Sequence, residues 1–243
     1  MKGSSRNLIY GAIIGSLILL ILVFGEDFQR ILVAISGKEG TTYLRTPVYI
    51  YFFQHLWMIG ISGVASIVLG TSLGIFATTT HGYDFKQTLM RLVKLGQAFP
   101  SPALLALSVP VFGYGFNGAL LALVIYALMP IVYNVVVGID EVSKDAIEAG
   151  KGMGMSELQL YTKVKLPMAL SVILGGIRTA MVINVSAATL AAAVGAGGLG
   201  VLIVNGVRTF DTALIMQGAI PVTLLAIFVE LILKWTQEQL SWK

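Results

Sequence analysis

From Leu95 to Ile139 the chain carries no Asp, Glu, Lys or Arg. A bilayer core about 30 Å thick takes about 20 apolar helical residues per crossing. The run is too long for one such helix, and Pro110, Gly113, Gly115 and Gly118 supply a turn near its middle. It reads as a hairpin of two spans. Composition points the same way: 56% of the 243 residues are hydrophobic and 12% charged, with a mean hydropathy of +0.86, outside the range of soluble domains. Six spans are expected, near Leu8 to Phe24, Gln54 to Thr79, Leu92 to Phe112, Gly118 to Gly138, Met168 to Val194 and Thr212 to Leu233. The expected fold class is an all-α polytopic membrane protein.

The formal charge of +4 would suggest nucleic acid only if the basic residues clustered, and they do not. They follow membrane topology. With both termini inside, the inner segments hold eleven Lys and Arg residues against four outside (Arg30, Lys38, Arg45 and Arg208), and Arg178 falls within a span, as the positive-inside rule requires. Both termini and residues 139 to 167 are therefore expected in the cytoplasm. The first span follows Lys2 and Arg6 as a signal peptide would, but Phe24-Gly25-Glu26-Asp27 has no small-residue cleavage site, so a retained helix is expected. Residues 25 to 53, with Tyr43, Tyr49, Tyr51, Phe52 and Phe53, read as an outer segment ending in an interfacial aromatic belt, and Trp235 and Trp242 fit the inner belt. No repeat or second domain is evident: residues 1 to 243 form one domain, with an N-terminal helix and outer segment over 1 to 50 and a core over about 50 to 235.

The long polar stretch from 139 to 167 has its own pattern. Ser143 suits an N-cap, with Asp145 in the first helical turn where the dipole favours an anion. Val142, Ala146, Ala149 and Met153 recur at helical spacing as an apolar stripe, while Lys144, Asp145, Glu148 and Lys151 are polar. Gly154 can take the left-handed conformation that ends a helix, and Ser156-Glu157-Leu158-Gln159 has the form of a capping box. Pro167 would interrupt a helix in progress but suits the first turn of the next. The expected unit is helix, glycine turn, helix, proline.

Other motifs are weaker. Gly195-Ala196-Gly197-Gly198-Leu199-Gly200 satisfies G-x-G-x-x-G, yet it follows a hydrophobic helix and not a strand, against nucleotide binding. Its glycines either allow close packing where the fifth span ends or contribute to an outer gate through Gly197, Gly198 and Gly200. Gly60-Ile61-Ser62-Gly63 has the form used by intramembrane serine proteases, but such a serine needs a base in reach. His55 lies about 10 Å away along the same helix, and His81 beyond its other end. Gly11/Gly15 and Gly70/Gly74 have the spacing of close helix packing. The absence of cysteine excludes disulfides and thiolate sites, two histidines make a metal site unexpected, and no P-loop is present. Arg178 falls about ten residues past Pro167, roughly 15 Å into the bilayer, where a charge costs about 3 kcal/mol on insertion scales. It either forms a polar pathway with Asn184 or satisfies carbonyls at a subunit contact. No Asp or Glu is expected beside it near the midplane, which argues against a secondary transporter driven by ionisable coupling residues.

Glu148-Ala149-Gly150, then Gly154, then Val164-Lys165-Leu166-Pro167 resembles the EAA loop of ABC importer permeases at every spacing. Gly96 to Pro102, Gly152 to Met155, Ile177 to Ala180 and Ala196 to Gly200 are similar to the subfamily that imports glycine betaine, choline or carnitine, and methionine and sulfonate permeases share parts of them. The resemblance covers about residues 50 to 235. It implies a type I importer transmembrane domain in the bacterial inner membrane, paired with a second permease subunit (a copy or a paralogue), two cytoplasmic ATPases and an extracytoplasmic substrate-binding protein. ATP and Mg would be held by the ATPase, with no cofactor and no catalysis in this chain. Glu148, Ala149, Gly150, Gly154, Val164, Leu166 and Pro167 would carry the ATPase contact, with Met153 and Met155 as apolar knobs.

Overall fold

The computed structural model describes residues 2–37 and 46–240, with side chains from Arg6 onward except that of Tyr83. Lys38, Tyr43, Arg45, Trp242 and Lys243, used above for topology and belts, lie outside the described residues. Every long element is a helix. Among the described residues five helices are long and apolar enough to cross a membrane, or six if one bent pair of helices is counted as a span.

The first helix, α1 (Lys2–Val23), packs on the last, α11 (Thr212–Leu240). Gly11 faces Ile232 and Gly15 faces Phe228, where an added Cβ would lie 3.6 and 3.2 Å from the neighbouring side chains. The segment read as an outer stretch begins with α2 (Gly25–Ser36). Glu26 and Asp27 sit at its N-terminus, where the dipole favours them, and its Gln29 and Leu32 are buried. The next span, α3 (Val48–Ala77), starts directly after Pro47 and takes up Tyr49, Tyr51, Phe52 and Phe53. Thirty residues make it about 45 Å long, beyond one bilayer core.

The expected straight span from Leu92 to Phe112 is not one helix. Its first residues belong to the amphipathic α4 (Tyr83–Gln97), and the rest form α5 (Ser101–Phe112), turned by 103°. Proline explains the break: Pro100 keeps Phe99 from helical geometry and supplies no N–H. Gly113 and Gly115 at positive φ then turn the chain into α6 (Phe116–Asp140). This helix is the centre of the molecule, packed against α3 and against the later helix over Leu166–Leu190. Gly70 and Gly74 of α3 let it approach, since a Cβ at these positions would come within 3.0 Å of Ile131 and 2.6 Å of Val135. Ala77, Leu89, Val93, Val132 and Val136 fix α4 to it in a buried cluster, and Lys86 Nζ lies 2.6 Å from the Asp140 carboxylate.

Beyond α6 come α7 (Lys144–Gly152), α8 (Glu157–Leu160) and α9 (Leu166–Leu190). Pro167 stands in the first turn of α9, as expected, but no break separates α9 from α8. A π-helical turn at Tyr161–Lys165 carries α8 straight into α9, with the Leu166 N–H donating to the Tyr161 carbonyl five residues back. The widened turn admits the proline, which has no N–H to donate, without ending the helix. At the other end of α9 a short 3-10 turn and the glycine loop lead into α10 (Gly200–Thr209), where only a loop was expected. Gly206 and Gly218 allow α10 to fold back on α11, with a Cβ at each 2.7 Å from Ile215 and Ile203 respectively.

Candidate functional site

The elbow between α6 and α9 is built from its caps inward. Ser143 Oγ accepts the Ala146 N–H at 3.3 Å and starts α7. At its other end the Met155 N–H donates to the Gly150 carbonyl at 3.2 Å and the Gly154 N–H to Lys151 at 2.9 Å, the paired bonds of a Schellman motif. Gly154 has φ +77 as this turn demands. Ser156 and Gln159 exchange the two bonds of a capping box, at 3.0 and 3.3 Å. Nothing crowds Gly154, so Gly154→Val meets only the backbone penalty, about 1–2 kcal/mol for a left-handed non-glycine residue. Gly154→Val should lower the thermal unfolding midpoint of the purified protein, and Gly154→Asn should recover most of the loss.

The elbow is seated on the bundle by a small buried core. Ile147 joins Ile139, Val142, Tyr161 and Leu166 in one cluster with Ala169 and Ile173. Gly150 is buried because α7 rests on α8 there: a Cβ would lie 2.6 Å from Leu160 Cδ1, 3.4 Å from Met155 Sδ and 3.6 Å from Val164 Cγ2. The Tyr161 hydroxyl lies 2.6 Å from Thr78 Oγ1 and 3.2 Å from the Ile75 carbonyl, tying the elbow to the end of α3.

The residues singled out in the sequence divide into groups. Gly150, Met155, Val164 and Leu166 are buried or half-buried and belong to the seat, Pro167 is half-buried at the start of α9, and Glu148, Ala149 and Met153 are exposed, with Gly154 at the turn. The apolar stripe is thus split: Val142 is buried against the bundle and Ala146 half-buried, while its later members lie off the packing face of α7. Ile147 and Gly150 form that face, and Ala149 and Met153 face outward. Leu158, which the sequence did not single out, joins them: Met153 is 70% and Leu158 73% exposed. Its position in the first turn of a four-residue helix carries no periodic signal, so only its exposure reveals it.

Arg178 and Asn184 are not brought together. Arg178 Nε lies 3.5 Å from Glu230 Oε1 on α11. Glu230 corrects the expectation that no acidic residue accompanies Arg178 within the spans. Asn184 is buried at 1% exposure, with Nδ2 donating to Ser62 Oγ at 2.7 Å. The Ser62 hydroxyl donates in turn to the Met58 carbonyl at 2.8 Å, and His55 Nε2 faces the Val185 carbonyl at 3.2 Å, so no base meets the serine. The glycine loop closes over this layer. Gly195, Gly197 and Gly198 all have positive φ, the Gly198 N–H donates to Gln54 Oε1 at 3.1 Å, and a Cβ on Gly200 would overlap the Thr189 carbonyl. These glycines pack the loop against α3 and α9. Among the described residues no group of three or more His, Cys, Asp or Glu could hold a metal ion.

Known proteins resemble this chain in sequence and in fold. The carnitine transport permease protein OpuCB of Listeria monocytogenes is 41% identical over 178 residues, 73% of this chain and 81% of its own. The glycine betaine/carnitine/choline transport system permease protein OpuCD of Bacillus subtilis is 37% identical over 208 residues, 83% of this chain and 89% of its own. Among solved structures, a chain of the inward-facing MetNI methionine ABC transporter superposes with a TM-score of 0.70 at 22% identity, covering 78% of this chain and 94% of that one. This likeness establishes the fold, that of a type I ABC importer transmembrane domain. Residues 66–241 match the family described as binding-protein-dependent transport system inner membrane component, and the chain belongs to that family.

Proposed function

We propose that this chain is the membrane subunit of an ATP-driven importer for a small osmoprotectant of the glycine betaine, carnitine and choline class. It works as one of two permease subunits, with two cytoplasmic ATPases that hold ATP and Mg and an extracytoplasmic binding protein that delivers the cargo. The elbow end of the bundle faces the cytoplasm with both termini. Closure of the ATPases pushes on α7 and, through the seat under Gly150, on α6 and α9 together. The glycine loop and α10 at the opposite end then form the outer gate, and the Arg178–Glu230 pair holds α9 to α11 while they move.

The observation that carries this reading is the elbow. A folded helix with a buried seat presents Glu148, Ala149, Met153 and Leu158 with nothing covering them. The cargo class follows from the relatives, whose names carry carnitine, glycine betaine and choline. Purification of the tagged chain from its native membrane should bring down an ATPase subunit. Proteoliposomes holding that complex should take up labelled glycine betaine, carnitine or choline only with ATP inside and binding protein outside. Uptake on an ion gradient without the ATPase would reject the reading, and uptake of methionine in place of all three would reject the cargo class.

A further inference from the structure

A second polar feature lies between α6, α9 and the end of α4, used by neither the elbow nor the glycine loop. It is a cavity of about 300 Å³ lined by Gln97, Tyr126, Pro130, Tyr133, Asn134 and Thr179. The four α6 residues recur at i, i+4, i+7 and i+8 and so share one face. Tyr126 lies about 15 Å along α6 from Phe116, and Tyr133 about 10 Å from the Asp140 end, which places both rings well inside the span.

Three details make this more than a packing defect. Pro130 has no N–H, so the Tyr126 carbonyl four residues earlier is left without its helical donor. Asn134 Nδ2 donates to the Pro130 carbonyl at 2.8 Å, and Gly176 of α9 is brought directly against Asn134, so the far wall is fixed. No hydrogen bond ties the Tyr126 or Tyr133 hydroxyl or the Gln97 amide to the described residues. Two tyrosines and unengaged polar groups therefore line one space, and no carboxylate does.

We propose that this cavity is a transient binding site for the quaternary ammonium group of the cargo, held by the rings of Tyr126 and Tyr133. The inference rests on the importer reading above. A quaternary ammonium has no N–H to donate, so hydrogen-bond acceptors hold it poorly, whereas aromatic faces attract its charge. A site without a carboxylate also releases what it binds, as passage through a membrane requires.

The test uses the complete complex with its ATPase and binding protein in proteoliposomes, reading labelled glycine betaine and choline uptake beside binding-protein-stimulated ATP hydrolysis. The pair Tyr126→Leu and Tyr133→Leu should lower uptake about tenfold with hydrolysis unchanged, and the pair Tyr126→Phe and Tyr133→Phe should keep both. Should the leucine pair fail to assemble, Tyr133→Leu alone should lower uptake about threefold, again with hydrolysis unchanged. Leucine variants that transport like the unsubstituted complex, or phenylalanine variants that fail as the leucine ones do, would overturn the site. An unsubstituted complex that takes up no quaternary ammonium compound at all would overturn the cargo class itself, and is recognised by needing no variant.

Discussion

Gly150→Val should cut ATP-driven uptake at least about tenfold, while Gly152→Ala, two residues on in the same helix, leaves it at the starting level. Both glycines are in α7, and valine and alanine differ in helix propensity by at most about 0.7 kcal/mol, too little to separate the variants tenfold. Their surroundings do. A Cβ at position 150 would lie 2.6 Å from Leu160 Cδ1, and Leu160 is 1% exposed, so its side chain must shift within the core to admit valine. Overpacking of this kind costs about 1–3 kcal/mol, and the strain is relieved most easily by lifting α7 off its seat. That displacement breaks the path by which a push on the elbow reaches α6 and α9. At Gly152 an added Cβ meets nothing within 4 Å, and alanine there favours the helix by up to about 1 kcal/mol. Uptake normalised to the amount of each variant in the membrane checks the contrast. A valine variant that transports normally would show that the seat does not transmit the push.

Much of this geometry is written locally. Ser143, Ser156 with Gln159, and Gly154 act through bonds to residues a few positions away, so their roles are legible in order along the chain. The small-residue pairs at Gly11/Gly15 and Gly70/Gly74 are legible too, because spacing alone puts each pair on one helix face. What was not legible depends on distant parts of the chain. Glu230 sits among apolar residues that read as an ordinary span, and only the antiparallel packing of α11 on α9 brings it to Arg178. The fold of α10 depends on Gly206 and Gly218 meeting Ile215 and Ile203, which hydropathy does not record. The bend at Pro100 divides a run whose apolar content fits a straight span equally well. In α7 periodicity found an apolar stripe but could not tell inward from outward, and the inward direction is decided by Leu160 beneath Gly150.

That outward direction leads to the other large effect: Met153→Asp combined with Leu158→Asp should abolish ATP-driven uptake and release the ATPase subunits on purification, with the permease still folded in the membrane. Neither side chain supports the bundle, since they are 70% and 73% exposed and belong to none of its buried clusters. Their replacement is therefore nearly neutral for folding. In an ATPase groove the same two positions become the centre of an interface, where apolar anchors are worth about 2 kcal/mol or more each and an unpaired carboxylate pays a desolvation cost on top. Glu148→Lys approaches the same face from its polar side. Glu148 is exposed and makes no ion pair with a described residue, so loss of uptake on charge reversal must arise in a partner. Normal uptake and an intact complex in both variants would mean that the ATPase grips the chain elsewhere. Loss of the complex in both, with unchanged unfolding temperature of the isolated permease, would locate the grip on the outward face of α7 and the start of α8.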